Sequence, residues 1–309
     1  MIRAGICGIA FAAAVATAAT AAAPLRVVAT TTDLAALAAA VGGDLVTVQA
    51  IVPPATDAEG FEPRPGDLDK LRAAGLLLRV GLGYDYWLDA LISRIGERRL
   101  MRGGEAYLDA SAGVPLLEIR GQTVVNEGGH AHGSANPHYW LDPDNAVIVS
   151  AGIAEALVRI LPGQRERILT NRERFLAELK MRQVQWSELL APYAGVKLIA
   201  YHNSWPYFAR RFRLDIIDFI EPKPGVAPSP AHLAGLISAG RAAPVRAVVH
   251  EPYEPDETSR LLAGKLGVPF ILLATSVDSV PGTGDYLALF DYDVATLSKA
   301  LGARGGKGP

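Results

Sequence analysis

Short apolar runs alternate with amphipathic stretches along the chain. In the first half, the predicted strands are at 25–30, 46–52 and 76–80, and the predicted helices at 33–41 and 67–74. In the second half, the predicted strands are at 197–201, 216–220, 245–250 and 270–274, and the predicted helices at 230–239 and 257–266. Such alternation predicts βαβ units on a parallel sheet. We therefore predict an α/β fold with two lobes, each built on a parallel sheet.

The two halves are separated by a long stretch with the character of one helix. After Gly163, residues 164–190 contain neither proline nor glycine, and apolar residues such as Phe175 and Trp186 are interleaved with charged ones. A helix of this length extends for about 40 Å, enough to cross both lobes as a rigid connector. The predicted domains are an N-terminal lobe at 24–162, a connecting helix at 163–191 and a C-terminal lobe at 192–309.

The first 23 residues have the pattern of a secretory signal peptide. A basic start, Met-Ile-Arg, precedes a small and apolar run at 4–23 that ends in Ala-X-Ala. A retained membrane anchor is the alternative, because the run approaches the length that spans a bilayer. The only cysteine, Cys7, lies in this segment, so the mature chain can form neither a disulfide nor a thiolate metal site. We predict export to the periplasm.

Size and charge narrow the class of protein further. About 285 residues remain after the leader, more than one core usually fills, which agrees with two lobes. The net charge of −2 and the absence of a basic block argue against a nucleic-acid partner. Residues 121–135 form a glycine-rich and polar loop that carries His130 and His132.

Four polar side chains occupy positions where ligands bind in α/β proteins. His202, Asp278 and Glu59 follow predicted strands at their carboxyl ends, the edge at which open α/β sheets bind ligands. His138 lies in a rigid aromatic segment, Asn-Pro-His-Tyr-Trp-Leu-Asp-Pro at 136–143. If they converge, these residues combine two imidazoles with two carboxylates. Imidazole suits zinc and the later transition metals, whereas calcium and magnesium use mainly oxygen ligands.

Several motifs in one order resemble a known family. They are Val-Val-Ala-Thr-Thr-Thr-Asp-Leu at 27–34, the 136–143 segment, Tyr-His-Asn-Ser-Trp-Pro-Tyr-Phe-Ala at 201–209 and Glu-Pro-Lys-Pro-Gly-Val-Ala-Pro-Ser-Pro-Ala-His-Leu at 221–233. Over nearly the whole mature chain, the sequence resembles the cluster A-I periplasmic solute-binding proteins of zinc and manganese ABC importers. The resemblance implies two lobes joined by a rigid helix, with a metal buried in the cleft between them. It also implies delivery of the metal to a membrane permease by a protein that catalyses no reaction. We further expect a monomer, with a metallochaperone as an additional partner.

The resemblance assigns a ligand set. It implies His138 as second, His202 as third and Asp278 as fourth ligand. Manganese-type members usually have glutamate at the third position, so His202 favours zinc. Where the family reads Asp-Pro-His-X-Tyr/Phe-Glu-Pro, this chain has Asp-Ala-Glu-Gly-Phe-Glu-Pro at 57–63, with Glu59 in place of the histidine. A carboxylate can bind zinc at a similar distance, and its added charge favours manganese or ferrous iron as alternatives.

Three interpretations of the first ligand stay open. Glu59 itself is one candidate, His130 or His132 from the glycine-rich loop is the second, and three ligands with a water molecule are the third. Zinc-specific members of the family often carry a longer histidine-rich loop at this place, so two histidines make a weak version of it.

Other polar and aromatic residues have structural interpretations. Glu62 could cap the helix that begins near Gly66 or hydrogen-bond a ligand residue, and we expect the cap. We expect His250 or Glu251 to orient a ligand or to serve the fold alone. We expect His232 to be a surface or packing residue. Four aromatic residues are predicted to line a dry cleft: Tyr139, Trp140, Trp205 and Tyr207.

Hydrolysis at a bound metal and adhesion are the alternatives to metal capture. A metallohydrolase also uses histidine and carboxylate ligands, with one position open to water. However, the chain lacks His-Glu-X-X-His, Gly-X-Ser-X-Gly and a P-loop. An adhesin of the same fold is the other alternative, and no residue favours it over transport. A capture site should be closed by four protein ligands, whereas a catalytic site keeps one position open. The number of protein ligands therefore separates metal capture from metallohydrolase activity.

Overall fold

The structure is a computed structural model that describes residues 23–118 and 135–303. The predicted signal peptide up to residue 22, including Cys7, lies outside these residues, as do His130 and His132. Within the described ranges, no helix combines the length and the apolar character needed to cross a bilayer.

The N-terminal lobe is built on a four-stranded parallel sheet. Its strands are β1 (Leu25–Ala29), β2 (Val46–Ala50), β3 (Leu76–Arg79) and β4 (Tyr107–Asp109), in the order β2-β1-β3-β4. Its helices are α1 (Thr32–Gly42), α2 (Pro65–Arg72), α3 (Trp87–Ile95) and α4 (Pro143–Ile160). All four residues of β3 are buried, because helices cover both faces of a parallel sheet.

The C-terminal lobe repeats this architecture with a second parallel sheet. Its strands are β5 (Lys197–Ala200), β6 (Asp215–Phe219), β7 (Val245–His250) and β8 (Phe270–Leu272), in the order β6-β5-β7-β8. Its helices are α6 (Pro206–Phe212), α7 (Pro230–Ala242), α8 (Glu257–Leu266) and α9 (Tyr286–Gly302). The predicted two-lobed α/β fold is confirmed.

A single helix, α5 (Arg165–Leu190), connects the two lobes. Its 26 residues correspond to about 39 Å at 1.5 Å per residue. It contacts α1 and α4 of the first lobe and α9 of the second, burying Phe175 and Trp186. The predicted long helix is thereby confirmed, whereas the domain boundaries around it stay a prediction.

The apolar core is continuous across the connection between the lobes. One cluster of buried side chains includes Val28 of the first sheet, Phe175 of α5, Phe290 of α9 and Val249 of the second sheet. The rings of Trp186 and Phe290 lie 5.1 Å apart between centroids. Apolar contacts of this kind hold the sheets in a fixed relation, because separating them would expose the shared core to water.

The start of α2 differs from the prediction. Glu62 is exposed, and the helix begins at Pro65 with Arg64 as the N-cap. The Oδ2 atom of Asp67 accepts a hydrogen bond of 2.8 Å from the backbone N–H of Arg64. The prediction that Glu62 caps this helix was therefore wrong: Asp67 is three residues inside the cap, where a carboxylate reaches back to that amide.

Candidate metal centre

Three buried side chains from different parts of the chain converge in the cleft between the sheets. Glu59 lies in the loop after β2, His138 precedes α4, and His202 follows β5. They are 6%, 1% and 7% exposed. Each offers one ligand atom, and these atoms lie within 4.8 Å of one another. We call Glu59, His138 and His202 the ligand group.

The distances in the ligand group suit a metal ion. The Oε1 atom of Glu59 is 3.6 Å from Nε2 of His138 and 3.8 Å from Nε2 of His202. Tetrahedral coordination with bonds of about 2.0–2.1 Å separates neighbouring ligand atoms by about 3.3 Å. Inward movements of a few tenths of an ångström would therefore bring Oε1 of Glu59 and each of the two Nε2 atoms to the separation found around one ion.

Hydrogen bonds to Asn136 fix the ring of His138. The side-chain Nδ2 of Asn136 donates to the backbone oxygen of Asn203 at 2.9 Å and to Oε2 of Glu118 at 3.2 Å, so its Oδ1 faces His138. That oxygen accepts from the backbone N–H of His138 at 3.0 Å and lies 3.2 Å from Nδ1. Because an amide oxygen can only accept, Nδ1 carries the proton, and the lone pair of Nε2 is directed towards Glu59.

Two glutamates hold His202 in the corresponding way. Its Nδ1 is hydrogen-bonded to Oε2 of Glu221, and the other oxygen of Glu221 accepts from the backbone N–H of Gly225 at 2.5 Å. Glu251 accepts from the backbone N–H of His202 at 3.3 Å and from Nε1 of Trp205 at 2.6 Å. Both histidines thus have Nδ1 held by an oxygen and Nε2 directed towards Glu59, the arrangement that would suit metal binding through Nε2.

This environment changes the protonation of His202 and Glu251. Burial lowers the pKa of His202, but the hydrogen bonds to Glu221 and Glu59 and the nearby carboxylates outweigh burial and raise it well above its ordinary 6.5. Burial raises the pKa of Glu251 to about 7. In the metal-free protein, a proton on His202 therefore balances part of the buried negative charge.

Aromatic side chains enclose the ligand group. The four predicted aromatic residues are all buried: Tyr139, Trp140, Trp205 and Tyr207. The ring of Trp140 lies 5.3 Å from that of His138, and the ring of Tyr84 lies 5.4 Å from it, both between centroids. Exclusion of water by these rings lowers the local dielectric constant and strengthens the attraction between ligand charges and a metal.

An acidic cavity of about 40 Å³ adjoins the ligand group. It is lined by Asp57, Glu59, His202, Glu221, Pro224, Gly225, Tyr253 and Glu254. Burial, together with the charge of Glu221, raises the pKa of Glu254 to about 7. Asp57 accepts the backbone N–H groups of Glu59 at 2.8 Å and Gly60 at 3.0 Å, which fixes the loop that carries Glu59. Carboxylates on this side favour the approach of a cation.

Asp278 does not join the ligand group in the structure. It is exposed, in a turn after β8, with a left-handed backbone at φ 63°. Its backbone N–H donates to the oxygen of Thr283 at 2.7 Å. The expected convergence of four side chains is thus seen for three only: Asp278 is exposed, whereas Glu59, His138 and His202 are buried and close together.

The remaining histidines of the described residues have structural partners. His250 lies between Oγ of Ser259 at 2.9 Å and the backbone oxygen of Glu254 at 3.0 Å, and burial lowers its pKa. Nε2 of His232 lies 2.9 Å from the backbone oxygen of Phe219. These contacts agree with the structural roles expected for both histidines. Of His250 and Glu251, it is Glu251 that contacts the ligand group, through the backbone N–H of His202.

Sequence reasoning missed two residues that orient the imidazoles, Asn136 and Glu221. A signal for Glu221 existed, because it follows β6 at the same sheet edge that led to His202. Asn136 had a weaker signal, as an amide two residues before a candidate ligand.

The fold and the ligand group together indicate a two-lobed metal-binding protein, with a candidate metal site between two parallel sheets. The profile of the family described as "ZnuA: Zinc-uptake complex component A periplasmic" matches residues 27–300. The chain belongs to this family, whose members include the metal-binding proteins of ABC importers.

Curated relatives extend over most of the chain. The iron-binding protein YfeA of Yersinia pestis is 24% identical over 286 residues, which cover 90% of this chain and 86% of the relative. The manganese ABC transporter substrate-binding lipoprotein scaA of Streptococcus gordonii is 22% identical over 283 residues, covering 90% and 89%. The metals in these names differ. The metal of this chain therefore has to be inferred from its own residues and not from its relatives.

Solved structures agree with the fold. The crystal structure of ZnuA is similar with a TM-score of 0.75 and 26% identity, covering 90% of this chain and 99% of the other. The structure of FpvC from Pseudomonas aeruginosa in complex with Mn²⁺ has a TM-score of 0.76 at 22% identity, with the same coverage. At that identity, the second likeness supports the fold alone.

Proposed function

We propose that the protein captures one divalent transition metal, zinc, in the cleft between its lobes through Glu59, His138 and His202, with Asp278 as a fourth ligand. The observation that carries this proposal is the orientation of the two imidazoles. Each has its Nδ1 held by an oxygen, and each directs Nε2 towards the same carboxylate oxygen. A pair of structural histidines would not need this common orientation.

We infer zinc from the two nitrogen ligands. Neutral imidazole is a good ligand for zinc, and a four-ligand site with two imidazoles is typical of it. The carboxylate of Glu59 supports manganese or ferrous iron as the alternative, because oxygen ligands and a greater negative charge suit those ions. Iron and manganese in the names of two relatives favour the same alternative.

The ion is cargo, and we propose that the protein transfers it without catalysing a reaction. The recipient is the membrane permease of a metal ABC importer, in line with the relatives that bind substrates for such importers. We further infer export to the periplasm through the N-terminal signal peptide, action as a monomer, and a metallochaperone as an additional partner. Histidine ligands without cysteine suit an oxidising compartment.

The direct test is a thermal unfolding experiment on metal-stripped protein. One equivalent of zinc should raise the melting temperature, because a ligand that binds only the folded state stabilises it. The changes His138→Ala and His202→Ala should each remove most of this gain. His232→Ala provides the matched control, since Nε2 of that ring lies 2.9 Å from the backbone oxygen of Phe219, and it should respond like the parent. Equal responses of all three variants and the parent would show that the assigned site is wrong.

The identity of the metal needs a separate measurement. Competition titrations of zinc against manganese on the parent protein should give the tighter dissociation constant for zinc. Equal or tighter binding of manganese would contradict the zinc assignment and favour the alternative, while leaving the capture function intact.

A further inference from the structure

Two side chains of the N-terminal lobe form hydrogen bonds with the backbone of one residue of the C-terminal lobe, Val277. The hydroxyl of Thr32 donates to the backbone oxygen of Val277 at 2.8 Å. The Oδ1 atom of Asp33 accepts the backbone N–H of the same residue at 3.0 Å. Thr32, Asp33 and Val277, which we call the Val277 clamp, join residues 244 and 245 positions apart in the chain.

The free-energy cost of burying the carboxylate of Asp33 indicates a specific role for this side chain. The side chain is 1% exposed at the start of α1, and burial raises its pKa to about 7. Burying a carboxylate is unfavourable unless strong hydrogen bonds compensate it. An apolar residue would fill this place at lower cost if packing were the only requirement, so the bond to Val277 is the feature that distinguishes Asp33.

The clamp fixes the backbone next to Asp278. Val277 is bonded through both its N–H and its C=O, and the N–H of Asp278 is bonded to Thr283. At the start of the turn, Nε1 of Trp140 donates to the oxygen of Thr275 at 2.9 Å. These bonds hold Asp278 in the left-handed conformation, in which its carboxylate is exposed and apart from the ligand group.

We propose that the Val277 clamp positions Asp278 and opposes its entry into the metal site. The proposal rests on the proposed function, because it assumes that Asp278 becomes the fourth ligand. Loading of the metal then involves a rearrangement of residues 275–283 that releases Val277. Thr32 and Asp33 act as positioning residues that touch no metal.

The physical consequence is a lowered apparent affinity. When only a fraction of molecules has the binding-competent conformation, the apparent dissociation constant rises by the inverse of that fraction. Weakening the clamp should increase the competent fraction and tighten binding. One hydrogen bond of ordinary strength corresponds to a change of about twofold to tenfold.

The test measures zinc affinity by chelator competition in clamp variants. Thr32→Val removes the hydroxyl while keeping the shape, and Asp33→Ala removes the carboxylate; each should tighten zinc binding by about twofold to tenfold. Thr32→Ser and Asp33→Asn keep a donor or an acceptor in place and should bind zinc like the parent. Thr47→Val, on an exposed position of β2, is the matched control and should also bind like the parent.

A double-mutant cycle separates positioning from a general effect on the fold. In an Asp278→Ala background, neither Thr32→Val nor Asp33→Ala should alter zinc affinity, because the carboxylate they position is gone. Clamp variants that bind zinc like the parent, or more weakly, would overturn the proposal, as would equal changes in both backgrounds. If Asp278→Ala alone leaves affinity unchanged while His138→Ala abolishes binding, the clamp proposal fails and the capture function stands. If His138→Ala also binds normally, the proposed function itself fails.

Discussion

The bond between Glu221 and the ring of His202 offers the sharpest test of how the site is organised. One oxygen of Glu221 accepts from Nδ1 of His202, and the other accepts the backbone N–H of Gly225. Glu221→Gln keeps the size of the side chain but replaces one oxygen with an NH₂ group. Whichever way the amide turns, this NH₂ faces a donor, either Nδ1–H of His202 or N–H of Gly225. Both orientations therefore lose one bond, and the charge is lost in either.

The magnitude follows from two considerations. A hydrogen bond to a charged group contributes about 1.5–3 kcal/mol. Replacing an outer partner of a metal-bound histidine usually weakens metal affinity by about 10–100-fold, which corresponds to about 1.4–2.8 kcal/mol. The two ranges agree, so we expect Glu221→Gln to weaken zinc binding by about 10–100-fold. His202 still provides Nε2, so binding should be weakened and not abolished.

The assay is competition with a chromophoric chelator at fixed pH and salt, with metal-stripped parent and variant measured side by side. Glu155→Gln, at an exposed position of α4, is the control for the loss of one carboxylate and should bind zinc like the parent. Parent-like affinity of Glu221→Gln would refute the argument that Glu221 prepares His202 for the metal. Complete loss of binding together with loss of fold would point instead to a structural role.

Two further predictions concern pH and metal choice. Because the pKa of His202 is raised, its ion pairs should stabilise the metal-free protein fully below about pH 6.5, the unfolded value. This stabilisation should be lost as pH rises through the raised folded-state value, as unfolding at several pH values would measure. Zinc affinity should rise over that interval, with about one proton released per metal in calorimetry in buffers of different ionisation enthalpy; a pH-independent affinity would contradict this. Glu59→His should raise the ratio of zinc to manganese affinity by about tenfold or more in competition titrations, and an unchanged ratio would exclude Glu59 as a ligand.

The sequence predicted most strands because buried parallel strands are continuous apolar runs. The predicted strand at 245–250 coincides with β7, and the others end within two residues of the observed limits. β4 was missed, since Tyr107–Asp109 is too short for any periodicity. α4 was also missed, although Asp142 before Pro143 is a standard start signal: the side chain of Asp142 accepts the N–H of Asp144.

Candidate site residues could be predicted from their position at the end of a strand. The conformation of the loops that carry them could not be predicted. His202 could be found because the carboxyl end of β5 fixes its location, and Glu221 could have been found by the same rule after β6. Asp278 also follows a predicted strand at its carboxyl end, but it is exposed in the structure. Its backbone is set by Asp33, bonded to the preceding residue from the opposite end of the chain. No local pattern contains that contact, so the direction of the Asp278 side chain could not be predicted.

The balance of charge explains why a proton and a metal compete for this cleft. Glu59, Glu221 and Glu251 are all buried, and buried carboxylates are stable only when a cation or a proton compensates them. In the metal-free state, part of that compensation comes from a proton that His202 binds with a raised pKa. A divalent ion at Nε2 must displace this proton, and it supplies a greater positive charge at nearly the same point. The carboxylates that attract the metal therefore also strengthen its competitor, so the effective affinity at a given pH is the difference between two large electrostatic terms.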